Sequence, residues 1–433
     1  MLAAQAIFTL IAITVILYRK NSHNAILWGM LFQWLSINIK IFYASYLGVD
    51  FLELDIPTLS VENAIILSNI GIIIMSIVIA LITRKITYTT YHKIDWQVAK
   101  KSHHLYIAYS IAFTILSPLK DITIITQLFV YLELIKFSIL FIALNYVRIG
   151  KPNEENIFYI FLIIEIIISF TGYFADFKDY FYILLLVQLY RLFTDRKVYK
   201  AIKLFPIVIL LLYLGVIWSS IKTEYRTYLT EEGAEINTQI TRTGNSLGKL
   251  LELANNLNEK TFDDGLDKLI NRISYVEYFG EVIDNVPINV PHTNGQNLIE
   301  STIFAFQPRI LFPGKAITND SERTAKYVGR FISGTESNTS ISLGYMADGY
   351  IDFGFYYFWI TPLLIGIIIG TSYLLLYKQS PNKVWSLAIT FPYFTLCNFY
   401  GADSFKVIPP LIYYTIVAII FIKYLLPRIS KYN

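Results

Sequence analysis

The chain has 433 residues, of which 55% are hydrophobic, 16% aromatic and only 16% charged, with a mean hydropathy of +0.50. Soluble domains carry about a quarter charged residues, so a soluble enzyme is excluded, and the apolar content excludes a disordered chain. A formal net charge of +4 is too small for a nucleic-acid binder of this length, and the single cysteine, Cys397, excludes an internal disulfide and a cysteine-based metal site. What remains is an all-α polytopic membrane protein.

A helix crossing the hydrocarbon core needs about 20 mostly apolar residues. On that criterion roughly eleven candidate spans follow one another: 2–18, 25–47, 63–83, 104–118, 122–147, 156–176, 178–193, 203–221, 355–377, 383–402 and 408–426. The first has no basic run ahead of it and no cleavage site behind it, so it reads as a retained helix, not a signal peptide. The connections 19–24, 84–103, 148–155, 194–202 and 378–382 and the C-terminal stretch hold or flank nineteen Lys/Arg. The short connections of opposite parity hold or flank three: Lys120, Lys178 and Lys406. Basic residues favour the cytoplasmic side, which puts the N-terminus outside and the C-terminus in the cytoplasm.

Among the charges that fall inside the spans are Lys40, Glu133, Lys136 and Glu165. Each costs about 2.5–3.5 kcal/mol at a helix centre on insertion scales. Glu133 and Lys136 are about one turn apart, close enough to pair. Glu165 has no local partner and is expected to face the bundle interior.

One long polar segment, 222–354, interrupts the spans and parity puts it outside. It holds twelve Lys/Arg and eighteen Asp/Glu, a net −6, so the rest of the chain carries +10. The expected organisation is 1–221 with the first eight spans, 222–354 as an extracytoplasmic loop domain, and 355–433 with the last three. Thr261-Phe-Asp-Asp264 has the form of a capping box and predicts an amphipathic helix over about 262–275, with Arg272 near its end. Residues 297–306 predict a second short helix, stopped by Pro308. Prolines and a glycine then fix the backbone around Arg309 and ahead of Lys315. Arg323, Lys326 and Arg330 follow, and a run rich in Ser, Thr, Gly, Tyr and Asp from Asn338 to Gly354 leads into the ninth span.

Five outer cations, Arg226, Arg272, Arg309, Lys315 and Arg330, have the chemistry of a diphosphate clamp: guanidinium offers a planar fork to phosphate oxygens and lysine a point charge. A diphosphate leaving group needs such a clamp as its charge develops. The competing reading pairs them with the eighteen acids or with lipid head groups. Asp348 and Asp352 lie just before the ninth span. Either carboxylate has the chemistry of a general base toward a sugar hydroxyl, or of an acid placed at a helix N-terminus. His292, between Pro291 and Thr293, is the outer histidine, a base or an inert turn residue. No HExxH, cysteine cluster or Walker loop is present, so neither a zinc site nor a P-loop ATPase is expected.

The outer segment resembles the Wzy-like family of oligosaccharide repeat-unit polymerases of bacterial surface polysaccharides. The resemblance rests on Lys222-Thr-Glu-Tyr-Arg226, Arg272, Val286-Pro287, Gly295, Pro308-Arg309, Pro313-Gly-Lys315, Tyr327 and Gly329. The run Thr339-Ser340-Ile341 through Asp348, Tyr350, Asp352, Phe353 and Gly354 completes it, with a departure at Asp348, where the family pattern leads one to expect glutamate. The resemblance implies a GT-C-like membrane glycosyltransferase of the bacterial cytoplasmic membrane. It would join polyprenyl-diphosphate-linked oligosaccharides on the outer face, with no cofactor, nucleotide sugar or metal. Arg226, Arg272, Arg309, Lys315 and Arg330 would then bind the diphosphate, Asp348 or His292 would assist the attacking hydroxyl, and Ser340, Ser342 and Tyr350 would contact the substrate. The implied partners are the lipid-linked oligosaccharide, the bilayer, and flippase and chain-length regulator proteins, with no nucleic acid.

Three other readings compete with it. A ligase of the same general fold would differ only in its acceptor. A transporter or flippase of lipid-linked oligosaccharide predicts broken helices and polar residues inside the spans. An outward-facing scaffold would tolerate loss of Arg309 and Lys315.

Overall fold

The computed structural model describes residues 1–49, 51, 54, 60–90, 93–95, 101–116, 119, 123–147, 152–170, 177–194, 202, 204–231, 248–256, 259–307, 311, 312, 314, 320–332 and 341–430. Every regular element among them is helical. The order is α1 (Leu2–Leu17), α2 (Ala25–Leu47), α3 (Val61–Thr83), α4 (Ser102–Leu116), α5 (Thr123–Val147), α6 (Pro152–Phe170), α7 (Phe177–Thr194) and α8 (Phe205–Glu231). Then come α9 (Glu259–Ile273), α10 (Val276–Asn285), α11 (Gln296–Ala305), α12 (Asp320–Val328), α13 (Tyr345–Tyr357), α14 (Ile360–Gln379), α15 (Lys383–Thr390), α16 (Tyr393–Leu396) and α17 (Ser404–Ile420). A π-turn, Phe421–Leu425, joins α17 to α18 (Leu426–Ser430).

Among the described residues, five helices are long and apolar enough to cross a membrane: Ala25–Leu47, Val61–Thr83, Thr126–Val147, Ile360–Gln379 and Ser404–Arg428. Leu2–Leu17, Asn156–Ser169 and Val208–Lys222 are apolar but shorter. The count of eleven is not reproduced, for local reasons. Helix α4 has only 15 residues. Lys178, Asp179 and Arg191 charge the 18 residues of α7. The stretch expected as a tenth span, 383–402, is broken.

The chain forms two compact units. The first comprises Met1–Thr89, Ala108–Ile142 and Ile273–Asn433. Helix α3 is its hub, packed on α1, α2, α10 and α14. Gly366 and Gly370, one turn apart on α14, face it closely: a Cβ on Gly366 would lie 3.1 Å from the Met75 carbonyl oxygen, and one on Gly370 3.0 Å from Ile82 Cδ1. Lipid supplies no hydrophobic drive between helices, so small residues that let backbones approach supply van der Waals contact instead. Buried amides add hydrogen bonds. Asn38 and Asn69 exchange bonds of 3.1 and 3.0 Å between α2 and α3, and Gln33 Nε2 donates to the Cys397 carbonyl at 2.7 Å. The Tyr345 hydroxyl completes the set by donating to Gln33 Oε1 at 2.7 Å. Lys40, one of the charges expected to be costly inside a span, is buried and paired with Glu277 of α10.

The break in 383–402 follows from Pro392, whose ring clashes with the preceding turn. Helix α15 stops at Thr390, α16 has four residues, and the chain is non-helical from Cys397 to Asp403. Phe391, Tyr393 and Cys397 are fully buried. Irregular backbone at membrane depth is tolerated where protein, not lipid, surrounds it.

The second unit comprises Thr90–Ile107 and Ala143–Arg272. Ile221, Tyr225, Leu250 and Leu253 form a buried cluster on which Ile217, Trp218 and Tyr228 pack. Gly265 of α9 lies so close to α8 that any side chain would collide with Ser220. Half-buried Glu165 accepts a hydrogen bond from the Tyr106 hydroxyl, which supplies the partner its own helix lacks. Two expectations change here. Helix α9 begins at Glu259, so Thr261 lies inside the first turn and not ahead of the helix. Helix α8 runs unbroken through residue 221, so the boundary expected there falls within a helix. Of the described residues between 222 and 354, those up to Arg272 belong to this unit and those from Ile273 onward to the unit that holds α3, α14 and α17.

Candidate functional site: a buried charge hub with an anchored imidazole

The hub is built where four helices of the first unit meet at Arg323. Helix α12 opens with Asp320 and Glu322, acids favoured at a positive helix end. One turn in, Arg323 reaches away from its own helix. Its Nη2 donates to Asp348 Oδ1 on α13 at 2.5 Å and to Asn297 Oδ1 on α11 at 3.1 Å. Its Nη1 donates to Asp403 Oδ2 at 3.5 Å. Asp348 Oδ2 accepts from the backbone N–H of Ser404 at 2.7 Å. Asp403 is the N-cap of α17, where Oδ1 accepts from the Lys406 N–H at 3.1 Å, and its own N–H donates to Ser342 Oγ at 3.1 Å. The Lys406 ammonium pairs with Asp320. Two carboxylates thus share the N-terminus of one membrane-length helix, where the helix dipole favours negative charge.

Burial works against the Arg323 charge, but Asp348 and then Asp403 outweigh it and hold the guanidinium more firmly protonated than water does. Burial, followed by repulsion from Asp348, pushes the Asp403 carboxyl from 3.8 up to about 6, with Arg323 opposing. A carboxyl that binds its proton more tightly folded than unfolded favours the native state at low pH. Its contribution is therefore complete below pH about 4 and is lost as pH rises toward about 6. Asp403→Asn keeps a good N-cap and removes that ionisation. The expected result is a flatter stability–pH curve between pH about 4 and 6 for the variant than for the wild type, read by thermal unfolding in nanodiscs. Superimposable curves would show that Asp403 does not titrate there.

A second carboxylate, Asp352, serves a different helix. Its Oδ1 accepts from Thr293 Oγ1 at 2.5 Å, from Asn297 N at 3.1 Å and from Asn297 Nδ2 at 3.0 Å, and its Oδ2 from Leu298 N at 2.9 Å. It caps the N-terminus of α11 from α13. The expectation of a helix-terminal acid is met, although the helix is not the span that follows. Burial raises the Asp352 pKa, against the bonds from Thr293 and the Leu298 and Asn297 N–H groups.

The same element anchors an imidazole. His292 Nδ1 lies 3.2 Å from the Ile351 carbonyl. A carbonyl only accepts, so Nδ1 carries the proton and, in the neutral ring, Nε2 carries the lone pair. Among the described residues Nε2 takes no hydrogen bond. It faces Gly354, whose φ of +67° and ψ of −172° interrupt α13. A Cβ there would lie 3.2 Å from Nε2. The half-buried ring also meets Tyr350 edge-on at 5.7 Å.

The expected site residues are distributed as follows. Asp348 has no exposed surface and both oxygens engaged, which gives it the job of holding Arg323 and the α17 N-terminus. Ser342 is buried and holds the Asp403 backbone, and the Tyr350 hydroxyl donates to the Val286 carbonyl at 3.3 Å; both are committed to protein. Arg330 is half exposed and donates from Nε to Glu281 Oε1 at 2.8 Å. Among the described residues the other Glu281 oxygen is buried without a hydrogen-bond partner, and burial raises the Glu281 pKa. Arg226 and Arg272 belong to the second unit, Arg272 exposed in the last turn of α9. Arg309, Lys315 and Ser340 lie outside the described residues. Asn297, Arg323 and Asp403 were missed as site residues. Asp403-Ser404 ahead of an apolar run carried an N-cap signal, whereas nothing local distinguishes Arg323 from its charged neighbours.

These features define a class: a protein helical throughout its described regular elements, with membrane-length helices on which the short helices from Ile273 onward pack around buried ion pairs. Residues 42–374 match a family model described as a domain of unknown function, DUF8712. The chain belongs to that family. No curated protein and no solved structure matches it.

Proposed function

We propose that the protein is a membrane glycosyltransferase that joins polyprenyl-diphosphate-linked oligosaccharide repeat units on the outer face of the bacterial cytoplasmic membrane. Its N-terminus would be outside and its C-terminus cytoplasmic. The observation that supports this reading is His292: a half-buried imidazole whose Nδ1–H is tied to a backbone carbonyl and whose Nε2 is unengaged among the described residues. That is the arrangement of a general base. Nε2 takes the proton of an acceptor hydroxyl as its oxygen attacks the anomeric carbon of the donor repeat unit. The bond from that carbon to the diphosphate oxygen breaks, and the lipid diphosphate leaves with the electron pair. Half-exposed Arg330, with Arg309 and Lys315, meets the developing negative charge. Asp348 and Asp403 hold the frame through Arg323 and do not touch the substrate.

The test is a polymerisation assay in membranes. A lipid-diphosphate-linked repeat unit is supplied, and a ladder is sought for the wild type and for Arg309→Ala, Lys315→Ala and Arg330→Ala at matched expression. Each variant is expected to lose roughly 10²-fold in rate, the scale of one charge-stabilising donor. A ladder unchanged by all three would remove the proposed clamp.

A second reading is favoured by the broken segment 383–402 and by Gln33, Asn38, Lys40 and Asn69 buried in membrane-length helices. Discontinuous helices and intramembrane polar groups mark many secondary transporters. Movement of the lipid-linked unit between leaflets without any ladder would select it.

A further inference from the structure

Helix α11 buries a mixed face and leaves a row of apolar side chains exposed. The face turned into the protein carries Asn297, Leu298, Ser301 and Ala305, all buried. The outward side carries Ile299, Ile303 and, just past the last turn, Phe306, which are 59%, 52% and 68% exposed, flanked by exposed Gln296, Glu300 and Thr302, with Gln296 Nε2 donating to Glu300 Oε1 at 2.7 Å. Spacings of four and three residues put these side chains in one stripe. A continuous apolar stripe facing water is unfavourable, so the medium along this stripe is apolar, while the flanking Gln296–Glu300 pair suits the polar side of an interface.

Two attachments fix where that stripe lies. Asp352 holds the N-terminus of α11 through the Asn297 and Leu298 N–H groups, eight residues before the membrane-length α14 begins at Ile360. On its inner side α11 packs on α17, with the Phe304 and Phe405 rings edge-on at 5.6 Å, beside the Ser404 start of the other membrane-length helix. Between Asp352 and Ile360 stand Phe355, Tyr356 and Tyr357, all exposed, followed by half-buried Trp359. Exposed aromatics at the start of a membrane-length helix mark the interface between head groups and acyl chains.

We infer that α11 is an interfacial membrane helix, and that its Ile299–Ile303–Phe306 stripe is covered by the acyl chains of the surrounding bilayer. The occupant is lipid because the stripe is continuous in level with the starts of α14 and α17, helices that already expose apolar side chains such as Leu364, Ile367, Ile416 and Ile420. Held there, α11 carries the Asp352 cap and the neighbouring Thr293 turn at the membrane surface. The inference does not depend on which reaction the protein performs.

The full-length chain in phosphatidylcholine nanodiscs tests it. In a Cys397→Ala background, nitroxides are attached at Ile299→Cys, Ile303→Cys and Phe306→Cys, with Lys326→Cys, an exposed site on α12, as the reference. Collision rates with molecular oxygen, which concentrates in acyl chains, and with a water-soluble nickel chelate are read by electron paramagnetic resonance. The expected result is an oxygen-to-nickel ratio several-fold above the Lys326→Cys reference at all three stripe positions. A ratio equal to the reference would mean that the stripe faces water and would overturn the inference. Exclusion of both reagents would also overturn it, by showing that protein, such as a second copy of the chain, covers the stripe. The three side chains are exposed, so labelling leaves the packing intact. A wild-type unfolding temperature for each labelled protein checks this.

Discussion

Arg323→Met is expected to destabilise the protein by about 3–5 kcal/mol, because it leaves Asp348 and Asp403 buried with no cation between them. The pair is not a surface one: Asp348 has no exposed surface, Asp403 is 2% exposed and the Arg323 side chain 18%. Removing one member of a buried, hydrogen-bonded ion set exposes the desolvation cost of the members that remain. The loss also frees Asn297 Oδ1 and so loosens α11. Unfolding in nanodiscs by heat or denaturant reads the effect. The double variant Arg323→Met/Asp348→Asn is expected to recover part of the loss, since a neutral amide still accepts from Ser404 N–H but repels Asp403 less. A change below about 1 kcal/mol for Arg323→Met, the scale of an exposed pair, would demote the hub to surface electrostatics. Arg323→Lys is not a conservative control, because an ammonium cannot match the spread of the guanidinium across three acceptors.

The second large effect is on activity. His292→Gly is expected to lower the rate of ladder formation by about 10²–10⁴-fold, the usual contribution of a positioned base, while leaving the unfolding temperature unchanged. Free imidazole added to the assay is expected to restore part of the rate, which a purely structural histidine would not allow. The anchoring carbonyl belongs to Ile351 on α13, and Gly354, one turn on, leaves room at Nε2. Gly354→Ala is therefore a positioning variant. A Cβ 3.2 Å from Nε2 and a φ of +67° both work against it, so it is expected to impair the rate through His292 and to be less responsive to imidazole. Wild-type rates in His292→Gly would show that another group takes the proton.

The class of the molecule was legible in the sequence because it follows from sums. Hydrophobic content, charge fraction and run length decide whether a chain meets water or lipid, and α2, α3, α5, α14 and α17 overlap runs expected as spans. Local signals also carried through. Residues 297–306 lie within one position of α11, because that helix depends on near-neighbour spacing. Proline is a different matter. Pro392 was visible, but whether it breaks a segment depends on whether neighbouring helices can bury the freed backbone, and those neighbours are α2 and α14.

The site was read less well, for a reason specific to buried charge. Sequence shows that Arg323, Asp348 and Asp403 exist; only the tertiary structure brings residues 25 and 80 positions from Arg323 onto its guanidinium. Lys40 and Glu277 illustrate the same limit, since a charge that looks costly on one helix is satisfied by another far along the chain. Asp348, open in the sequence to a role as general base or as helix-terminal acid, bonds at both oxygens within the protein, because exposure is a property of the packed structure and not of the residue. Composition and periodicity by themselves determined that this chain is an α-helical membrane protein with one polar segment. Packing alone decided which of its charges are structural and which face outward, since charge–charge contact is set by distance in space and not along the chain.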